Sequence, residues 1–276
     1  MNAPSALSEL LPNSPAIDVR DFRKVYDSTL AADGISFSLP AGTVGALVGP
    51  NGAGKTTTIR ALCGIIRPTS GSLHVAGLDV QSEPLKVKQL VAYVPDDPPL
   101  FETLTVWEHM RFIASAYQVE DYQQRGADLL SQLHLESKRN ALASELSRGM
   151  RQKVAIACAY LHNPAVLFFD EPLTGLDPAA IRLLKRTMVE RAAQGATVLV
   201  SSHLLALVED ICRHLIVLRQ GKCLFSGSVE LARQTYAESG SLEDVFFKVT
   251  EFEVPELPVP ELPVPEVPVP EPKRLE

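Results

Sequence analysis

Apolar and polar residues alternate at every second position in 17–20 (IDVR) and again in 34–39 (GISFSL), the period of half-buried strands. A short apolar run at 43–48 ends on Gly49, and after a glycine-rich stretch 56–65 reads as a helix. Strand-length runs return at 71–75 and 91–94. Between 100 and 162 the period changes. The segments 102–117, 120–135 and 147–161 carry apolar residues at helical spacing, so a helical subdomain, about 96–162, interrupts a β-rich frame. From 165 to 220 strands and helices alternate: a buried strand at 166–169, a helix at 178–194, a second buried strand at 196–201 and a short helix at 204–212. A hairpin follows, 214–218 and 222–227 around Gln220-Gly221.

The ends differ from this core. Residues 1–15, rich in Pro, Ser and Asn, read as a flexible leader without a basic segment and apolar run of the secretory kind. Residues 16–250 read as one domain. Residues 251–276 are Pro/Glu/Val-rich, and proline at every second or third position dictates an extended spacer of roughly 3 Å per residue. No window reaches the ~18 apolar residues of a membrane span, so a membrane role requires a partner. The net charge of -7 argues against duplex nucleic acid as that partner, and the chain reads as cytoplasmic. Four scattered cysteines without paired spacing read as reduced thiols.

Gly49-Pro50-Asn51-Gly52-Ala53-Gly54-Lys55-Thr56-Thr57 fits GxxxxGK[ST] between a predicted strand and a predicted helix. Glycine lets successive N–H groups turn into one concavity, the helix adds its positive end, Lys55 reaches the terminal phosphates, and Thr56 offers a hydroxyl to Mg²⁺. That much fits kinases, GTPases, helicases and motor ATPases alike. Asp170 and Glu171 end the buried strand at 166–169, where open α/β sheets bind ligands. Asp170 is placed to hold Mg²⁺, directly or through water, and Glu171 to activate or position the attacking water.

Together with Leu146-Ser147-Arg148-Gly149-Met150-Arg151-Gln152, these motifs make the chain resemble the ATP-binding cassette (ABC) family. The family signature usually reads LSGGQ; Ser147 and Gly149 match, while Arg148 stands for a glycine and Met150 for the glutamine. The resemblance covers roughly residues 17–248. It implies an α/β P-loop NTPase cassette with a RecA-like core, an antiparallel β subdomain and the inserted helical subdomain. It implies that Ser147 and Gly149 bind the γ-phosphate of ATP held by a second cassette, and that Asp177, in Thr174-Gly175-Leu176-Asp177, lies in the loop that crosses between subunits. His203 resembles the switch histidine that contacts the catalytic glutamate, and Tyr26 stands where the family places an aromatic on adenine. One position departs: after Tyr93-Val94-Pro95 the family's glutamine is replaced by Asp96, a carboxylate near the metal and its water. The residues alone fit equally an acidic turn before Pro98-Pro99, just as Ser147 alone fits an ordinary helix cap.

The function implied is ATP hydrolysis to ADP and phosphate, driving a separate membrane permease through dimerisation of two cassettes. The ending Leu242-Glu-Asp-Val-Phe-Phe and the single cassette resemble export-type systems. The rival is a soluble, non-transport member acting on ribosomes or nucleic acid. Members acting on translation usually carry two cassettes in one chain, and those acting on DNA a long coiled coil between P-loop and signature. The interval 57–146 is too short for one.

Overall fold

The computed structural model describes residues 15–174, 176–236 and 241–251; the extended tail and nearly all of the leader lie outside them. Strands β1 (Ile17–Tyr26) and β2 (Thr29–Leu39) pair antiparallel with Ile17 opposite Leu39. Their inward side chains, among them Val19, Phe22, Ile35 and Phe37, are buried. Both strands outrun the alternation seen in sequence because the register shifts three times between Val19 and Val25, and each irregularity resets the period of two. After β3 (Val44–Val48), every residue of which is buried, the chain enters α1 (Lys55–Leu62). Strands β4 (Ser70–Val75) and β5 (Leu78–Asp79) complete a four-stranded antiparallel sheet in the order β2-β1-β4-β5. Helix α2 (Pro84–Leu90) buries only Val87, so it has no apolar stripe and leaves no periodic trace in the sequence.

Strand β6 (Val91–Val94) leads into the helical subdomain, α3 (Val106–Tyr117), α4 (Tyr122–Gln132) and α5 (Arg148–Leu161). Helix α3 starts four residues later than the periodicity indicates. Thr105 accepts a hydrogen bond from Glu108 N, and Glu108 Oε2 accepts one from Thr105 N, a capping box that fixes the helix start. The chain then returns through β7 (Val166–Asp170), α6 (Pro178–Ala193), β8 (Thr197–Ser202), β9 (His214–Arg219), β10 (Lys222–Ser228), α7 (Val229–Tyr236) and α8 (Leu242–Glu251). The second sheet has the order β10-β9-β3-β8-β7-β6, parallel throughout except for the β9–β10 hairpin. This is the mixed α/β cassette architecture implied by the resemblance.

The helix read over 204–212 is not formed. A single 3₁₀ turn, Leu205–Leu207, takes its place. Ser202 Oγ both accepts from Leu204 N and donates to Leu204 O at 3.0 Å, and such local bonds compete with helix initiation.

Strand β7 separates two apolar clusters. Leu167 and Phe169 face the helical side, while Val166 and Phe168 pack with α1 and the antiparallel sheet. Buried on both faces, the strand is a stiff carrier for the carboxylates at its C-terminal end.

Candidate nucleotide-binding site

Strands β3, β6, β7 and β8 run in the same direction, so their C-terminal ends form one edge, with Asp170 paired to Ser201 and Val48 to Ser202. Ligands bind along such an edge. The loop from β3 to α1 approaches neighbouring backbone too closely for a side chain. A Cβ at Gly49 would lie 2.2 Å from Leu218 O, and one at Gly54, where φ is 100°, 2.7 Å from Ala31 O. Lys55 is buried at the start of α1. Its ammonium donates to Gly49 O at 2.7 Å and Pro50 O at 3.3 Å, and lies 3.3 Å from Glu171 Oε1.

The buried Asp170 carboxylate is held at both oxygens: Oδ1 accepts from Ser201 Oγ at 2.7 Å and Oδ2 from Tyr93 Oη at 3.3 Å. Burial pushes the Tyr93 phenol up to about 12, opposed by its hydrogen bond with Arg60, so it keeps the proton it donates to Asp170. Glu171 has φ 51°, a left-handed conformation that costs a non-glycine residue of order 1 kcal/mol. Its N–H donates to Ser201 Oγ at 3.0 Å. His203 donates from Nδ1 to Glu171 Oε2 at 2.9 Å, which places the proton on Nδ1, since the partner is an acceptor-only carboxylate. Glu171 Oε1 is a buried oxygen with no hydrogen-bond donor of its own, although the Lys55 charge is near.

Lys55, Asp170 and Glu171 line a cavity of about 420 Å³, and Tyr93, Ser201 and His203 reach it only through their bonds to the two carboxylates. Asn51, Gly52, Ala53, Gly54, Lys55, Thr56, Thr57, Asp96, Asp170 and Glu171, all singled out in the sequence, line it; Gly49 and Pro50 sit behind as acceptors for Lys55. Thr29, Leu30 and Ala31 close the other wall, a contribution no motif announces. Tyr93 and Ser201 were likewise not singled out as site residues, because each acts through Asp170 rather than through a motif. Tyr26, at the end of β1, is partly exposed and outside the cavity lining, with Lys24 Nζ 4.8 Å from its ring centroid.

The remaining site residues stand apart from this cavity. Ser147 caps α5, accepting from Met150 N at 3.3 Å, and Gly149 lies in the first turn of the same helix. Asp177 caps α6 by accepting from Ala179 N and Ala180 N, both at 2.9 Å, and these bonds hold its carboxyl below the usual range. Ser147 and Asp177 are therefore ordinary helix caps within the chain.

The donor set suits a phosphate ligand with a hard cation. A glycine cradle and a buried lysine face the same space as the hydroxyl of Thr56 and the carboxylate of Asp170, both oxygen donors of the kind Mg²⁺ prefers. Among the described residues no group of three or more His, Cys, Asp or Glu is arranged to hold a metal, so a cation here would complete its shell with phosphate oxygens and water.

A phosphate-binding loop, a carboxylate pair at a buried strand end and a histidine on the second carboxylate define a P-loop ATPase. The ABC transporter family model matches residues 32–174, and the chain belongs to that family. It is 35% identical over 238 residues to the ABC-type transporter ATP-binding protein EcsA of Bacillus subtilis, covering 85% of this chain and 96% of that protein. It is 36% identical over 212 residues to the SkfA peptide export ATP-binding protein SkfE of the same organism, covering 75% and 87%. With the Nod factor export ATP-binding protein I of Burkholderia pseudomallei the identity is 37% over 214 residues, covering 77% and 70%. A solved structure described as the ATP-binding subunit of an ABC transporter superposes with a TM-score of 0.80 at 34% identity, covering 85% of this chain and 99% of that one. The chain is thus an ATP-binding, ATP-hydrolysing subunit of the ABC transporter class.

Proposed function

We propose that the chain works at the cytoplasmic face of a membrane, where it pairs with a second cassette and drives a separate permease in the export direction. The carrying observation is the divided site. The phosphate loop, Lys55, Asp170 and Glu171 form one half, with His203 bonded to Glu171, while Ser147 at the N-terminus of α5 is not among the residues that line it. Two chains arranged head to tail bring the α5 N-terminus of one, with Ser147 and Gly149, onto the phosphates held by the other. Asp177 then lies at the crossing between subunits. ATP touches both chains and so favours the closed pair by differential affinity. The export direction follows the names of relatives that serve export systems.

Within each half the residues divide the work. Lys55 donates to phosphate oxygens in place of the Gly49 and Pro50 carbonyls. Thr56 and Asp170 would hold Mg²⁺, which supplies charge neutralisation at the phosphate oxygens when bound, while the Asp96 carboxylate in the cavity wall is engaged by Arg148. Glu171 takes the proton of the attacking water, His203 fixes the Glu171 carboxylate, and Tyr26 lies against the adenine ring. Catalysis on these terms is positioning and charge stabilisation.

Among the described residues no helix is long and apolar enough to cross a membrane, and the proposal assigns the membrane passage to the permease. A groove of about 270 Å³ beside the Asp96 loop fits such a partner. Its walls include Pro98, Phe101, Phe112 and Tyr117, with Phe101 53% and Phe112 51% exposed. Its lining includes two histidines, His109 and His162. Burial pushes His162 down to about 4, leaving it neutral, and the ring stacks on Tyr117 at 3.8 Å. His109 Nε2 accepts from Phe101 N and Nδ1 bonds Thr105 O, so its ring pins the loop that carries the groove. The test is to purify the full chain from gently solubilised membranes. A polytopic membrane protein is expected with the parent and is lost with Phe112→Glu, while ATP affinity is unchanged. Recovery of ribosomes or nucleic acid instead would support the non-transport alternative.

A further inference from the structure

Two positions at which the sequence departs from the usual family motifs meet in space. Arg148 Nη2 lies 2.8 Å from Asp96 Oδ1, across 52 residues of chain. Asp96 follows β6 and lines the nucleotide cavity, whereas Arg148 opens α5, so the bond ties the cavity wall to the helix that Ser147 caps. Gln152, one turn further along α5, adds a 3.4 Å bond to Pro95 O.

As a source of stability the pair counts for little, because both side chains are about half exposed, 54% and 50%. Its consequence is electrostatic. The cavity walls carry three carboxylates, Asp96, Asp170 and Glu171, against one cation, Lys55. Asp170 and Glu171 have chemical duties at the strand end. Asp96 takes the place of a neutral amide and adds a negative charge facing a polyanionic ligand. Arg148 takes the place of a neutral glycine and adds the compensating positive charge at hydrogen-bonding distance.

We propose that Arg148 is a positioning residue that neutralises Asp96 and turns it toward the α5 N-terminus, so that a loop bearing a carboxylate still admits a nucleoside triphosphate. The inference rests on the nucleotide reading of the cavity. It predicts single substitutions of opposite sign. Arg148→Ala exposes the carboxylate and weakens ATP binding about fivefold. Asp96→Asn leaves an unopposed guanidinium beside the site and tightens binding. The joint variant returns close to the parent, as does Arg148→Lys alone.

The experiment is displacement of a fluorescent ATP analogue by ATP with Mg²⁺ from the full chain, at low and at ~1 M salt, where exposed charges are screened. Opposite shifts that shrink with salt support the proposal. If both single variants weaken binding, or neither moves it, while the parent binds ATP, the pair is a structural tie only and the proposal fails alone. A parent chain without ATP affinity would overturn the nucleotide reading beneath it.

Discussion

Glu171→Gln is expected to slow ATP hydrolysis by about 10²–10⁴-fold while leaving ATP affinity within a few-fold of the parent. The carboxylate carries three relationships that separate its chemical from its structural role. Oε2 accepts the His203 Nδ1–H at 2.9 Å, Oε1 lies 3.3 Å from Lys55 Nζ, and Oε1 has no donor of its own. Glutamine preserves the volume and can still accept from His203, so the left-handed backbone at φ 51° and the loop around it are retained. What is lost is basicity, the one property that proton transfer from water requires. Single-turnover phosphate release and equilibrium ATP binding, measured on the same preparation, separate the two effects. A variant hydrolysing at the parental rate would remove Glu171 from the catalytic step.

The second large effect falls on binding. Lys55→Ala is expected to weaken ATP affinity about a hundredfold, the size of a lost charge-assisted contact at ~3 kcal/mol. In the chain alone the ammonium spends its donors on Gly49 O and Pro50 O and offsets the charge of Glu171. Its removal therefore also leaves a mostly buried carboxylate without its cation, and apo stability falls as well. Combining Lys55→Ala with Glu171→Gln resolves the ambiguity. The neutral amide needs no cation, so stability returns toward the parent in urea unfolding, whereas ATP affinity stays low. Recovery of affinity in the double variant would mean that Lys55 acts only as the partner of Glu171.

The fold was legible wherever burial leaves a period. Strands β3, β7 and β8 are continuous apolar runs because both faces are covered, and α5 shows its stripe beneath the Ser147 cap. The capping box Thr105-x-x-Glu108 was also in plain view, although helical spacing alone begins α3 too early. Helix α2, with one buried residue, and the 3₁₀ turn at Leu205–Leu207, set by Ser202 bonding to its own neighbours, offered no such signal. The site divides in the same way. Residues 49–57, Asp170 and Glu171 stand out in the sequence because the phosphate cradle and cation-holding strand end proposed for them need fixed residue types at fixed spacing. Tyr93 and Ser201 were not, since orienting Asp170 demands only a hydroxyl at the right distance, which strands 77 and 31 residues away happen to supply. Asp96 and Arg148 looked like two unrelated departures; only the fold brings them to 2.8 Å.

The head-to-tail pairing of two cassettes is tested most directly by sedimentation of the Glu171→Gln chain, in which ATP persists. The account predicts monomer without nucleotide and with ADP, dimer with ATP and Mg²⁺, and monomer again when Ser147→Arg places a bulky side chain at the α5 N-terminus. A parent chain that hydrolyses ATP while sedimenting as a monomer, at a rate strictly proportional to its concentration, would contradict it.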